Sequence, residues 1–133
     1  MMSIKELIYV AGPTAIGKTS ISISLAKHFK TEILSCDARQ LYKEMTIGTA
    51  VPSKVEQQEI KHHFIQNKSI HQRYDASKFE IEGLYLLKTL FEKHDKIIMV
   101  GGSGLYAKAL IDGLDRFPKV DPEAVKKVKE VYE

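Results

Sequence analysis

Residues 12–19 read Gly12-Pro13-Thr14-Ala15-Ile16-Gly17-Lys18-Thr19, the G-x-x-x-x-G-K-T pattern of a phosphate-binding P-loop. The apolar run 7–11 precedes the pattern and a helix-like segment follows it, which is the strand–loop–helix order that the motif requires. Two glycines let the backbone bend around an anion, and the helix N-terminus behind them favours negative charge. We expect these eight residues to bind a diphosphate or a nucleotide, with Lys18 on the terminal phosphate and the Thr19 hydroxyl as a ligand of Mg²⁺.

Length and composition are those of a single globular domain. The chain has 133 residues, 44% of them hydrophobic, and a formal net charge of +3 that suits an anionic ligand or RNA without requiring either. Cys36 is the single cysteine, so an internal disulfide is excluded and we expect a reducing cytoplasm. No apolar run approaches the roughly 20 residues that cross a bilayer, so no membrane partner is expected.

Strand and helix patterns alternate along the chain, which predicts an α/β fold: a P-loop NTPase-like parallel sheet flanked by helices. Hydrophobic periodicity and capping residues place the strands at 7–12, 32–36 and 96–100, and the helices at 17–29, 76–94, 104–112 and from Asp121-Pro122 onward. Residues 43–75 are predicted to form an irregular excursion with one short helix.

Only three strands are predicted, whereas sheets average about five or six. We therefore interpret residues 1–133 as the N-terminal part of a P-loop core domain that is truncated, with the missing strands beside the first one. A complete protein would then be a monomer. The isolated chain would expose a sheet edge through which it could associate.

The candidate catalytic residues follow the predicted strands, because ligands of open α/β sheets bind at the carboxyl ends of the strands. Asp37 follows the second strand and is the candidate general base, with an Mg²⁺-associated carboxylate or a helix N-cap as the alternatives. Arg39 could pair with a phosphate or be a solvated surface residue. Ser103 follows Gly101-Gly102 and offers a hydroxyl to a ligand, to the helix that it begins, or to both.

Three further features narrow the chemistry. The strand at 96–100 ends without the carboxylate that holds Mg²⁺ in many P-loop NTPases, which favours a transferase acting on a diphosphate or triphosphate. His62 and His63 are disfavoured as metal ligands, since adjacent side chains point in different directions and no third ligand stands at zinc spacing. Cys36 has no partner motif and is interpreted as a buried structural thiol.

Taken together, these segments resemble the tRNA dimethylallyltransferase family, also called tRNA isopentenyltransferase. The P-loop alone is shared with many kinases, but the combination of GPTAxGKT, SxDxRQLY, IGTA and VGGSGLY is far more specific. The matching stretches follow the family's order across nearly the whole chain: Gly12–Thr19, Ser35–Tyr42, Ile47–Ala50 with Pro52, His62-His63, Tyr74–Phe79, Val100–Tyr106 and Asp115–Pro122.

The resemblance implies an activity and a site. The family transfers a dimethylallyl group from dimethylallyl diphosphate to N6 of the adenosine immediately 3′ of the anticodon, in tRNAs reading codons that begin with U. The P-loop would hold the diphosphate, Lys18 and Thr19 would stabilise the leaving pyrophosphate with Mg²⁺ at Thr19, and Asp37 would accept the N6 proton. The implied contacts with the flipped-out adenosine in the tRNA anticodon loop are Asp37, Ala38, Arg39, Gln40 and Ser103.

The chain departs from the family's pattern at several positions. Ile16 stands where Ser is usual, Cys36 and Ala38 flank Asp37 where small residues and Ser are usual, and Ser103 replaces the common Thr. Family members are longer, and both their tRNA-gripping helical insertion and a later catalytic Arg lie beyond Glu133.

Three other functions remain open at this point. One is a P-loop kinase for a small molecule or nucleotide, although the Arg-rich lid of such kinases is not found in these residues. Another is an isopentenyltransferase acting on free adenine nucleotides, which the same motifs would serve. The third is a donor-binding fragment without catalysis.

Overall fold

The computed structural model of the protein describes residues 4–11, 17–44 and 51–113. The elements in these ranges are, in chain order, β1 (Glu6–Val10), α1 (Lys18–Phe29), β2 (Ile33–Ser35), α2 (Lys54–Glu59), β3 (His62–His63), α3 (Ala76–Leu90), β4 (Lys96–Val100) and α4 (Gly104–Asp112). The predicted α/β fold, a parallel sheet flanked by helices, is confirmed. The P-loop residues 12–16 and the helix predicted from Asp121 lie outside the described ranges.

The sheet has the strand order β1-β4-β2-β3, and every pair is parallel. The carboxyl ends of the strands therefore meet at one edge, where the loops after β2 and β4 lie side by side. β3 was not predicted, because a strand of two residues is too short to show the alternation by which strands are identified. Within the described ranges β1 forms the outer strand, and further strands beside it remain a prediction.

The two faces of the sheet carry separate clusters of buried side chains. On the face covered by α1, Ile33 and Ile98 pack against Ile23 and Ala26 of the helix. On the opposite face, the alternate strand residues pack against α3 and α4. The strands contribute Leu34, Ile97 and Met99, and the helices contribute mainly Phe79, Leu87, Leu90, Tyr106 and Leu110. This alternation follows from the pleat of a strand, and it decides which polar side chains at the strand ends face α1.

Helix α3 begins where the sequence predicts, because the Asp75 carboxylate accepts a hydrogen bond from the backbone N–H of Lys78 at 3.0 Å. The helix ends at Leu90 rather than at residue 94, and hydrogen-bonded turns continue from there. Helix periodicity in the sequence predicts an apolar face of Phe79, Leu84, Leu87, Leu90 and Phe91. In the structure, however, Leu84 is 49% exposed, and Gly83 is the buried residue against Leu110 of α4. A glycine at this position lets the two helices pack closely, which turns Leu84 outward. None of the helices in the described ranges is long and apolar enough to cross a membrane.

Candidate functional site

A cavity of about 150 Å³ lies between the N-terminus of α1 and the carboxyl ends of the strands. This is the position at which open α/β sheets bind their ligands. Among the described residues, its lining comes from four parts of the chain: Gly17, Lys18, Thr19 and Ser20 at the start of α1; Ser35, Asp37 and Gln40 at the end of β2 and after it; Pro52, His62 and Ile65; and Val100, Gly101 and Gly102 at the end of β4 and after it.

The N-terminus of α1 is shaped to receive an anion. Gly17 precedes the helix in a left-handed conformation (φ 82°, ψ 21°) that glycine adopts without strain. The first turn of α1 contains no acidic side chain, and no side chain among the described residues caps it. The positive end of the helix dipole is therefore available to a bound phosphate, and the half-buried Lys18 and Thr19 line the cavity in front of it. The remaining predicted P-loop residues, Gly12, Pro13, Thr14, Ala15 and Ile16, lie outside the described ranges.

The two carboxylate oxygens of Asp37 have different surroundings. Oδ1 accepts hydrogen bonds from the backbone N–H groups of Arg39 at 2.9 Å and Gln40 at 3.2 Å, so it caps the turn that follows β2. A Cβ atom built on Gly102 would lie 3.9 Å from Asp37 Oδ2 and 3.9 Å from Lys18 Nζ. One oxygen thus caps a turn rather than the N-terminus of a helix, while the other lies on the same side of Gly102 as the lysine. The cap and the proposed base are compatible because they use different atoms.

Hydrogen bonds and close packing between the loops after β2 and β4 hold Asp37 in place. The Ser103 hydroxyl accepts a hydrogen bond from the Ala38 N–H at 2.7 Å, and the Ser103 N–H donates to the Cys36 carbonyl at 3.1 Å. Gly101 packs so closely that an added Cβ would lie 2.6 Å from the Cys36 carbonyl carbon. The Ser103 side chain makes no capping hydrogen bond to α4, so the predicted role of Ser103 as a side-chain cap is wrong. Its hydroxyl instead links the loop after β4 to the loop after β2.

The predicted RNA-contacting residues lie in different environments. Gln40 lines the cavity together with Asp37, whereas Arg39 is exposed and is not part of the lining. Ala38 is half-buried and packs against the hydrophobic core. Contacts of these residues with RNA therefore stay predictions, and Asp37 and Gln40 are the two that line the cavity.

Two polar residues of the lining were not among the predicted site residues. Ser35 is 2% exposed, and its hydroxyl has no hydrogen-bond partner in the described part of the protein. The spacing Ser35-x-Asp37 could have revealed it, since alternate residues of a strand face the same side. His62 is disfavoured as a metal ligand on sequence grounds, and nothing in its local sequence marks β3 as a strand that would bring it to the cavity.

His62 is a half-buried imidazole held by its backbone neighbours. Its Nδ1 lies 2.8 Å from the Ile60 carbonyl oxygen. Burial lowers the pKa of His62, and the adjacent His63 contributes to the shift, which outweighs the opposing effects of the Ile60 carbonyl and Glu56. The ring is therefore neutral near pH 7.

Cys36 and Tyr9 are titratable side chains beside the cavity that carry no charge at neutral pH. Burial raises the pKa of the Cys36 thiol to about 12, so the thiol stays protonated, in agreement with a structural role. Burial is the main cause of the raised pKa of Tyr9, and the neighbouring Cys36 adds to the shift. The Tyr9 hydroxyl donates a hydrogen bond to the Gly101 carbonyl at 3.4 Å. Among the described residues, the acid–base groups that line the cavity are Lys18, Asp37 and His62.

The donor set of the cavity fits a hard divalent cation that arrives with phosphates. Thr19 and Ser35 offer hydroxyl oxygens, and Asp37 offers a carboxylate oxygen. Mg²⁺ is commonly bound by one or two carboxylates together with substrate phosphates and water, rather than by a cage made only of protein ligands. Residues 4–11, 17–44 and 51–113 contain no group of three or more His, Cys, Asp or Glu side chains that could hold a metal.

The sequence model of the family described as IPP transferase matches residues 40–133, more than half of the chain. Over 129 residues the chain is 56% identical to a tRNA dimethylallyltransferase of Flavobacterium johnsoniae, a match that covers 97% of the chain and 42% of the relative. It is 60% identical over 117 residues to a protein of the same name from Christiangramia forsetii, covering 88% of the chain and 39% of the relative.

Solved structures show the same relationship. The tRNA isopentenylpyrophosphate transferase of Bacillus halodurans superposes with a TM-score of 0.80 at 30% identity, over 96% of this chain and 42% of the other. A eukaryotic dimethylallyltransferase acting on tRNA superposes with a TM-score of 0.78 at 26% identity, over 93% of this chain and 32% of the other. The chain thus spans about two fifths of the length of the curated relatives that it matches.

Proposed function

This chain belongs to the IPP transferase family, and we propose that it is the donor-binding and proton-accepting part of an enzyme that transfers a dimethylallyl group from dimethylallyl diphosphate to N6 of an adenosine in tRNA. One observation carries the proposal. A single cavity brings a helix N-terminus with Lys18 and Thr19 next to Asp37, a carboxylate with one oxygen outside its structural cap.

The diphosphate of the donor binds at the N-terminus of α1. Backbone N–H groups and the helix dipole stabilise its charge, and Lys18 binds the oxygens on which charge develops as the carbon–oxygen bond breaks. Thr19, with Ser35 nearby, would hold Mg²⁺. When bound, the metal supplies further neutralisation of the departing pyrophosphate.

Asp37 receives the proton that the acceptor amine loses. The N6 atom of adenine forms a bond to C1 of the dimethylallyl group while the C1–O bond breaks, and pyrophosphate leaves with the electron pair. The amine proton passes to Asp37 Oδ2, the oxygen that does not cap the turn. Because the cap fixes the carboxylate plane, Oδ2 is held in position before the substrate arrives.

The proposed macromolecular partner is the anticodon loop of a tRNA. Proteins read RNA most readily in single-stranded loops, where a base can leave the stack and enter a pocket. The relatives' names and the solved complex in which a dimethylallyltransferase acts on tRNA support this partner. By the resemblance, the target is the adenosine immediately 3′ of the anticodon.

A transfer assay tests the proposed function. The protein at its natural length is incubated with Mg²⁺, labelled dimethylallyl diphosphate and an anticodon stem-loop carrying adenosine next to the anticodon. A second stem-loop carries inosine there, which lacks the exocyclic amine. We expect label in the adenosine RNA alone. Absence of label in both RNAs, or a phosphorylated product when ATP replaces the prenyl donor, contradicts the proposal.

A further inference from the structure

We propose that His62 is a positioning residue that accepts a hydrogen bond from the acceptor amine and directs its other proton to Asp37. The inference rests on the proposed function, since it assigns a role within that reaction. Its basis is the presence of two hydrogen-bond acceptors, Asp37 Oδ2 and the unprotonated ring nitrogen of His62, in the lining of one cavity.

The register of β3 brings His62 to the cavity. His62 pairs with Ile33 of β2, and Ile33 packs on the face of the sheet that α1 covers. Paired residues on neighbouring strands point to the same side of the sheet, so His62 lies on the face that α1 covers. Ser35 lies on the same face, because it is two residues beyond Ile33 in β2. His63 points the other way and binds the Glu32 carboxylate at 2.9 Å. Of the two adjacent histidines, only His62 lines the cavity.

A backbone carbonyl determines which ring nitrogen carries the proton. The Ile60 oxygen can only accept a hydrogen bond, so Nδ1 donates to it and Nε2 bears a lone pair in the neutral ring. Among the residues that the structure describes, Nε2 has no hydrogen-bond partner. The charged and titratable groups around the ring are Glu56 of α2, the adjacent His63, and Lys18 and Asp37 across the cavity.

The lone pair on Nε2 restricts which part of the substrate can contact it. The oxygens of a diphosphate are acceptors as well, so they do not pair with a neutral Nε2. A primary amine has two N–H donors and matches two acceptors. One N–H gives its proton to Asp37 as the new N–C bond forms, while the other stays on nitrogen and donates to His62. The histidine neither gains nor loses a proton in the step.

This arrangement also discriminates between bases. A base with a carbonyl in place of the amine would place an acceptor oxygen opposite Asp37 Oδ2 and His62 Nε2. Both of these acceptors would then lack a hydrogen-bond donor in a half-buried site. Sites built to bind an N–H group reject such analogues strongly. His62 would therefore contribute to the selection of adenine over guanine or hypoxanthine.

Two substitutions at His62 separate the functions of its ring nitrogens. His62→Asn keeps a donor near the Ile60 carbonyl and removes the acceptor at the Nε2 position, whereas His62→Gln carries an amide oxygen to that position. His63→Asn is the matched control on the opposite face of β3. The measurements are single-turnover transfer of label to the adenosine stem-loop by the protein at its natural length, calorimetric binding of Mg²⁺-pyrophosphate, and thermal unfolding.

We expect His62→Asn to transfer about tenfold more slowly than the wild type, as befits one lost hydrogen bond in the transition state. His62→Gln should recover a rate within about threefold of the wild type, and both variants should bind pyrophosphate as the wild type does. His63→Asn should lower the unfolding temperature and leave the rate unchanged.

Two results would overturn the assignment. Equal rates for His62→Asn and the wild type would show that Nε2 makes no contact with the amine. Weakened pyrophosphate binding in His62→Asn and His62→Gln would make His62 a phosphate ligand instead. A wild-type protein that transfers no label is a different outcome, because it refutes the proposed function itself. If His62→Asn fails to fold, the rate of His62→Gln decides, since loss of transfer by a folded variant that retains the acceptor contradicts the proposal.

Discussion

Asp37 both caps the turn after β2 and is the proposed base, and substitutions can separate these two roles. Asp37→Asn keeps an oxygen to accept the N–H groups of Arg39 and Gln40 but cannot take up a proton. We expect it to unfold like the wild type, to bind Mg²⁺-pyrophosphate, and to transfer at least about 100-fold more slowly. Asp37→Ala should lose transfer and also about 1 kcal/mol of stability, because the cap is gone.

Calorimetry with pyrophosphate and a transfer assay on the same preparations check this prediction. If Asp37→Asn lost pyrophosphate binding together with activity, Asp37 would be a metal ligand or a structural residue rather than the base.

Ser35 provides a second prediction at the residue scale, because its buried hydroxyl has no described partner. Ser35→Ala should leave the free energy of unfolding unchanged or raise it by up to about 1 kcal/mol, since an unsatisfied buried polar atom is removed. Its affinity for Mg²⁺-pyrophosphate should fall, because the hydroxyl is one of the oxygen donors of the cavity.

Ser22 is the matched control: it is also fully buried, but its hydroxyl donates to the Lys18 carbonyl at 2.6 Å. Ser22→Ala should cost about 1 kcal/mol. Chemical denaturation of both variants tests the contrast. An equal loss of stability in Ser35→Ala would mean that Ser35 is bonded within the folded protein and not reserved for a ligand.

At the scale of the elements, the two glycines after β4 have different roles. A Cβ on Gly101 would collide with the Cys36 backbone at 2.6 Å, whereas a Cβ on Gly102 would make ordinary contacts at 3.9 Å with Asp37 and Lys18. We expect Gly101→Ala to cost about 1–3 kcal/mol of stability, because the two loops are forced apart. Gly102→Ala should fold normally and bind pyrophosphate more weakly, since its methyl group enters the cavity.

Unfolding and calorimetry on both variants check this pair. The explanation would be wrong if Gly102→Ala were the destabilised variant, or if Gly101→Ala were as stable as the wild type.

The elements also show how far a single sequence determines the fold. β4 and α4 have the predicted bounds, because a continuous apolar run between polar segments and a Gly-rich strand end are strong local signals. β3 exists only through its pairing with β2, a contact between residues about 30 positions apart that no local pattern encodes. For the same reason the sequence placed Asp37, Lys18 and Thr19 together at the strand ends but did not place His62 with them. Leu84 was misplaced because the packing of α3 on α4 through Gly83, rather than helix periodicity alone, sets which face is buried.

At the scale of the whole molecule, Glu32 connects the far strand of the sheet with the turn before β4. Its carboxylate accepts from His63 at 2.9 Å and from His94 at 2.8 Å. Burial alone would raise the pKa of Glu32, but the hydrogen bonds from the two histidines outweigh it, and the pKa lies below its ordinary value of 4.5. A lowered pKa in the folded state stabilises the protein above about pH 4.5, and this contribution is lost as the pH falls through the folded-state value.

Glu32→Gln should therefore be less stable than the wild type by roughly 1–3 kcal/mol at pH 7, and the difference should shrink below about pH 4.5. Glu59→Gln is the control: it breaks an exposed ion pair with Lys27 and should change stability by less than about 0.5 kcal/mol. Denaturation curves between pH 3 and 7 test both variants. A Glu32→Gln deficit that does not vary with pH would show that the carboxylate charge is not the source of the stabilisation.

The central claim is that the cavity at the N-terminus of α1 binds a prenyl diphosphate rather than a nucleotide used for phosphorylation. The most direct measurement is a calorimetric titration of the chain with Mg²⁺ and dimethylallyl diphosphate, in parallel with Mg²⁺ and ATP, using Lys18→Ala as the control. We predict tighter binding of dimethylallyl diphosphate, and loss of that binding in Lys18→Ala. Tighter binding of ATP, or prenyl diphosphate binding that does not depend on Lys18, would contradict the account.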